Sequence, residues 1–124
     1  MLDSRSPLRI PDLIDIERWQ HTLDWQPFRA GIDVFRLYGE PSAGASAVLL
    51  RFAPGGRVPW HAHLGHEHIL VLAGAQSDQS GRAGAGSLII NRPGSAHSVV
   101  SEEGCIVLVI YERPVRFVDA PPGV

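Results

Sequence analysis

The sequence predicts an all-β domain, a sandwich or barrel folded as one unit. Three observations predict it. Short runs rich in β-branched and aromatic residues recur from Gly31 onward, and glycine or proline stands at nearly every break between them. No segment keeps a helical apolar spacing over about ten residues. A chain of 124 residues holds one such domain and is too short for two.

The elements follow in order. Residues 1–30 are expected to form an N-terminal arm, because Met1 to Arg18 is polar and broken by proline. Its faint apolar spacing at Leu13, Ile14 and Ile16 fits an arm or a short helical turn. The β domain is placed at residues 31–119, with 120–124 a C-terminal tail. Ile32 to Tyr38 is the first strand, ended by Gly39 and Pro41. Ala47 to Phe52 follows, stopped by Pro54-Gly55-Gly56, then Arg57 to His63, then His68 to Leu72 before Gly74. After a loop rich in glycine and alanine come Ser87 to Asn91, closed by Pro93-Gly94, and Ser98 to Ser101. Cys105 to Glu112 is nearly all apolar, and Val115 to Val118 follows Pro114.

Composition excludes some partners. Eleven basic against thirteen acidic residues leave a formal charge of −2 with no basic run, so neither nucleic acid nor an anionic membrane is expected. The opening MLDSRSPLRI has no apolar stretch behind its positive charge and is not expected to act as a signal peptide. No run approaches the roughly 20 apolar residues of a membrane span. A lone Cys105 has no partner for an internal disulfide, and a cytoplasmic setting is the expectation.

The chemistry is concentrated in one stretch. Four of the six histidines lie within His61-Ala62-His63-Leu64-Gly65-His66-Glu67-His68. Residues two apart on a strand share a face, so His61 and His63 project together, about 6–7 Å apart at Cα. Gly65 lets the chain turn, and Glu67 then begins an antiparallel strand with its carboxylate returned to the same point. Imidazole and carboxylate together suit zinc, iron(II), manganese, nickel or copper and not calcium. The bland alternative is a set of exposed loop histidines or an affinity tag, which an internal, glycine-framed cluster between apolar strands fits poorly.

The spacing around this cluster resembles the cupin family. Gly55, five residues, His61, one residue, His63, three residues, Glu67, six residues and Gly74 fill every fixed position of the first cupin motif. Eleven residues later Gly86 opens the second, followed by five residues, Arg92-Pro93-Gly94, two residues and His97. Arg92 stands where proline is usual and Ser101 where asparagine is usual, and neither is a ligand position. Within cupins the chain resembles the ChrR type, named for the C-terminal domain of a zinc-dependent anti-sigma factor. The features shared with it are Arg92-Pro93-Gly94-Ser95-Ala96-His97, the later Ser101-Glu102-Glu103-Gly104-Cys105 and the short spacer. A second acidic residue often follows the ligand glutamate in that group, and here it is His68.

The resemblance implies a single-domain cupin jelly-roll β-barrel with one divalent metal ion per chain, zinc or iron first, manganese or nickel next. The ion would be held by His61, His63, Glu67 and His97. It also implies a homodimer and a small-molecule ligand or substrate inside the barrel. Three neutral histidines and one carboxylate leave a 2+ ion with a net charge of +1, which favours anionic ligands. Three functions are compatible with such a site. One is a metal-dependent oxidoreductase of dioxygenase type, or an isomerase, acting on a small oxygenated molecule. Another is a non-catalytic metal or small-molecule sensor related to the anti-sigma domain. The third is a storage or scaffold barrel. The family's separate N-terminal domain, with its own zinc-binding histidine and cysteines, does not fit in the residues before Gly31, which weakens a direct anti-sigma role. A shared fold does not decide among the three.

Other residues carry weaker expectations. His66 and His68 flank Glu67 and should alternate away from it, to solvent, to the ligands' outer side or to a subunit contact. His21 is expected at the surface. Cys105 is expected to be a buried small hydrophobe. Trp60 should face opposite His61. Tyr38, Arg36 and Arg51 lie on strands that are candidates for lining the pocket, depending on register.

Overall fold

The computed structural model describes residues 5–124, and residues 1–4 of the predicted arm lie outside the described residues. The ten strands are β1 Gln26–Arg29, β2 Ile32–Tyr38, β3 Ser46–Phe52, β4 Gly56–His63 and β5 Glu67–Asp78, then β6 Gly81–Gly84, β7 Leu88–Asn91, β8 Ala96–Ser101, β9 Cys105–Tyr111 and β10 Val115–Phe117. All pairings are antiparallel. The order across the curled sheet is β1-β2-β3-β9-β5-β8-β4-β10, with β6 and β7 also paired to β5. This is the all-β fold that the sequence predicts.

Strand β5 joins the two sides of the curl. Its first half pairs with β7 and β9, and its last residues pair with β6 and β8. The chain bends between them at Gly74, where φ is +70° and a Cβ would collide with the carbonyl oxygen of Gly104. Only glycine fits such a position. The sequence places a strand end before Gly74, whereas the strand runs on through it. Likewise Gly81–Gly84, expected within a loop, is β6. Its residues are half-buried or exposed and carry no apolar alternation to reveal a strand.

Side chains of alternate parity fill the inside: Val34 from β2, Val48, Leu50 and Phe52 from β3, Ile69 and Val71 from β5, and Val107 and Val109 from β9. The opposite face of β3 and β9 is covered as well. Leu13–Asp15 and Gln20–Thr22 are single 3-10 turns on either side of a four-residue α1, Ile16–Trp19. This segment packs Ile16, fully buried, against Leu49, Leu72, Ala73 and Ile106. Two covered faces explain why Cys105 to Glu112 is nearly continuous in apolar residues, with no in–out alternation to read. The strands begin before Gly31, since β1 pairs with β2. Among the described residues, no helix is long and apolar enough to cross a membrane.

Candidate metal centre

His61 and His63 come from β4, Glu67 opens β5, and His97 stands on β8 directly opposite His61. The parity of β4 is not uniform along its length. Val58 pairs with Val99 but His61 pairs with His97, so β4 carries one extra residue between them, a bulge at Pro59 and Trp60. Val58 and His61 both line the barrel cavity as a result. On a regular strand two residues three apart would face opposite sides. Proline, which has no N–H to give to the ladder, suits the bulge. Trp60 alternates away from His61, as expected.

One potential ligand atom from each of His61, His63, Glu67 and His97 falls within 4.8 Å of the other three. The imidazole ring centroids lie 4.7 to 5.1 Å apart. All four residues are at most 5% exposed, so the cluster is a buried polar group that needs a partner. Each ring is held from outside by its Nδ1. His61 Nδ1 donates to the Pro59 carbonyl at 2.7 Å. His97 Nδ1 donates to the Asp78 carboxylate at 2.7 Å. His63 Nδ1 lies 2.9 Å from Ser95 Oγ, whose own hydroxyl donates to the Arg92 carbonyl, so the oxygen accepts from the ring. With Nδ1 protonated in all three rings, each Nε2 keeps its lone pair. His63 Nε2 and His97 Nε2 are buried with no hydrogen-bond partner.

Burial holds the His61 imidazole below its ordinary value, opposed by the Pro59 carbonyl and the Glu67 carboxylate. That keeps the ring neutral, as a metal ligand must be. Glu67 is oriented in turn by Asn91 Nδ2, which donates to its Oε1 at 3.0 Å. His63 Nε2 is 3.3 Å from the same oxygen. Three lone pairs and a carboxylate converging in a dry site, two of the nitrogens with no other partner, form a donor set that could hold a transition-metal ion. A bound 2+ ion would satisfy both orphaned imidazole nitrogens.

The remaining candidates fall elsewhere. His66 and His68 stack outside the cluster, ring centroids 6.4 Å apart. The Glu112 carboxylate accepts from the His66 backbone N–H at 3.0 Å, and its contacts with His66 hold it below the usual carboxylate range. Gly65 makes room for this, since a Cβ there would press on Glu112 Oε1 and Arg113. His21 is exposed and Cys105 buried, as the sequence suggests. Tyr38, Arg36 and Arg51 do not line the cavity. Tyr38 is exposed, Arg36 pairs with Glu40 at 2.7 Å, and Arg51 pairs with Asp33 at 2.8 Å beneath Trp25. Arg51 stands opposite Asp33 on the outer face, Tyr38 opposite Ala47 past an irregularity in the pairing, and Arg36 opposite Val48 with the parity of Val34 but exposed beyond the cavity, a register that sequence alone does not fix.

The cavity that reaches the cluster has a volume of about 380 Å³. His61, Glu67 and His97 form one end, and Leu50, Val99 and Val107 are among its apolar walls. Tyr111 lines it too, and burial pushes its phenol far up, so it is a neutral hydroxyl. Sequence reasoning missed Pro59, Asp78, Asn91 and Ser95 as the groups that orient the ligands, and Arg29 as part of the wall.

Residues 17–115 match the family model described as the ChrR cupin-like domain. The chain is 35% identical over 118 residues to the anti-sigma-E factor ChrR of Cereibacter sphaeroides, covering 93% of this chain and 53% of that protein. It thus spans about half the length of the curated relative it matches. The crystal structure of Rhodobacter sphaeroides SigE in complex with the anti-sigma ChrR matches with a TM-score of 0.69 and 33% identity, over 90% of this chain and 60% of that one. An acetylacetone dioxygenase from Acinetobacter johnsonii matches over 96% of this chain and 81% of that one, with a TM-score of 0.73. Its 17% identity makes that a likeness of fold alone.

Proposed function

Because this chain belongs to the ChrR cupin-like domain family, we propose that it is a regulatory cupin. In this reading the barrel holds one divalent ion on His61, His63, Glu67 and His97 and signals the state of that site to a protein partner. The observation that carries the metal is the set of three imidazoles, each fixed through Nδ1 with Nε2 turned to a common point beside Glu67. Four protein ligands complete a tetrahedral zinc site, which makes zinc the first choice. The regulatory half is supported by the relative's printed description as an anti-sigma factor, crystallised with SigE. By that likeness the partner is a sigma factor or a protein of the same kind. A homodimer in a cytoplasmic setting belongs to the same proposal, with Leu88, Ile90 and Ile110 exposed on the two strands that flank β5.

A second reading is favoured by the cavity. An apolar space of about 380 Å³ ending at three of the four ligands is of a size for a small molecule. With iron, manganese or nickel in place of zinc, positions remain open for a substrate oxygen, and the barrel becomes a dioxygenase-type oxidoreductase or an isomerase.

One experiment separates the two. Elemental analysis of protein purified without added metal is paired with X-ray absorption spectroscopy. Four-coordinate zinc at one ion per chain supports the regulatory barrel. Six-coordinate iron with exchangeable water, together with dioxygen uptake, supports the enzyme. Failure to retain or take up any transition metal overturns both.

A further inference from the structure

Arg29, on the cavity wall, makes no ion pair among the described residues. Arg29 ends β1, and the irregular pairing between Pro27 and Arg29 lets consecutive residues, Phe28 and Arg29, both face the cavity. The Arg29 guanidinium sits 4.8 Å over the ring of Phe117, and that ring is 5.7 Å from the ring of His61. Arg29 therefore stands one aromatic ring away from the candidate metal ligands. Its Nε is buried and has no hydrogen-bond partner. The carboxylates on the same wall are already engaged: Glu67 belongs to the ligand cluster, and Glu40 is paired with Arg36.

A buried guanidinium edge without an acceptor is a costly thing to keep unless an acceptor arrives. Arginine's planar fork accommodates a carboxylate through two parallel hydrogen bonds, and the free Nε is half of such a fork. Between Arg29 and the cluster the wall includes Leu50, Phe52, Val99, Val107 and Val109, which suit a hydrocarbon body, with Ser42 and Gln76 among its neutral polar groups. We propose that the barrel cavity takes a small carboxylic acid with an apolar body, its carboxylate read by Arg29 and its body lying between Phe117 and the His61–Glu67–His97 end. This names the ligand class of the site described above and rests on the reading of the barrel as a ligand-binding metal cupin. The anion also suits the net positive charge of an ion bound by three neutral histidines and one carboxylate.

The test uses the full chain, metal-free and zinc-loaded, titrated with hexanoate and with hexanamide as its uncharged counterpart. Binding is followed by calorimetry. Hexanoate should bind at least about tenfold tighter than hexanamide, as expected for a charge-assisted fork. Arg29→Gln should abolish that preference, and Arg29→Lys, which keeps the charge but not the fork, should retain part of it. Equal binding of the two probes to the wild-type chain overturns the inference. So does a preference that survives in Arg29→Gln, since the metal alone would then be taking the anion. If zinc does not load, the metal reading fails by itself, and the Arg29-dependent preference in the metal-free barrel still decides this one. Should Arg29→Gln fail to fold, the ratio of the two probes in the metal-free wild-type chain and its reduction in Arg29→Lys decide.

Discussion

The Asp78 carboxylate accepts a hydrogen bond from His97 Nδ1 at 2.7 Å, and Asp78 lies outside both sequence motifs that carry the ligands. Its other oxygen accepts the Ser80 backbone N–H, so the turn between β5 and β6 fixes the carboxylate. Gln79 clamps the same turn to Ser98 on β8, donating through Nε2 to Ser98 Oγ and accepting from the Ser98 backbone N–H. Asp78 thus orients the His97 ring from outside the cluster. Asp78→Asn should weaken metal binding by about 10–100-fold. The check is competition against a chelator of known affinity, with circular dichroism showing an unchanged fold. Unaltered affinity would remove Asp78 from the site.

Removing a ligand is the more drastic change. His61→Ala or His97→Ala should bring bound metal well below one ion per chain by elemental analysis. In the wild-type chain the metal should leave as pH falls through roughly 6 to 5, because protonated imidazole does not coordinate. Full occupancy in the single variants, or retention at pH 4, would point to other ligands.

Cys105 gives a pH dependence of the opposite sign. Burial pushes its thiol up to about 11 from an ordinary 9.0, with the Ser101 hydroxyl working against this and Glu103 with it. The folded state thus keeps the proton that the unfolded chain releases. The stabilisation is full below pH 9.0 and is lost as pH rises from there towards about 11. At pH 8 the native thiol should react with iodoacetamide at least about a hundredfold more slowly than in denaturant. Equal rates would mean that the strand opens readily.

The segment before β1 is part of the barrel's support. Ile16 is fully buried against Leu49, Leu72, Ala73 and Ile106, and Ile16→Ala should cost about 2–5 kcal/mol in urea unfolding. A loss below about 0.5 kcal/mol would show that this segment is a loosely attached arm.

The candidate ligands were legible in the sequence because strand periodicity and glycine punctuation act locally. His61 and His63 are two apart, Gly65 turns the chain, and Glu67 returns on the next strand. Groups brought together by register were not legible. Asp78 meets His97 only because Ser77 pairs with Val100 across β5 and β8, and no feature near Asp78 announces that pairing. The bulge at Pro59 changes which residues of β4 face inward, and a proline inside an apolar–polar run reads equally well as a strand end. β1 was missed because its four residues, Gln26-Pro27-Phe28-Arg29, lack both alternation and β-branched side chains. With it went Arg29, the cavity's unpaired cation. The outer placement of Arg51 and the position of Tyr38 opposite Ala47 follow from pairing to β3, which includes an irregularity between Arg36 and Tyr38.

Strand β5 begins with Glu67 and ends with Asp78, so one continuous piece of backbone supplies one candidate ligand and the brace behind another. In the proposed regulatory reading, filling or emptying the centre would therefore bear on both termini of a single twelve-residue ribbon. The turn after Asp78 is at the surface, far along the chain from the histidine cluster. Through that ribbon, a protein resting on the turn would feel whether the centre is loaded, with no loop having to open and no domain having to swing.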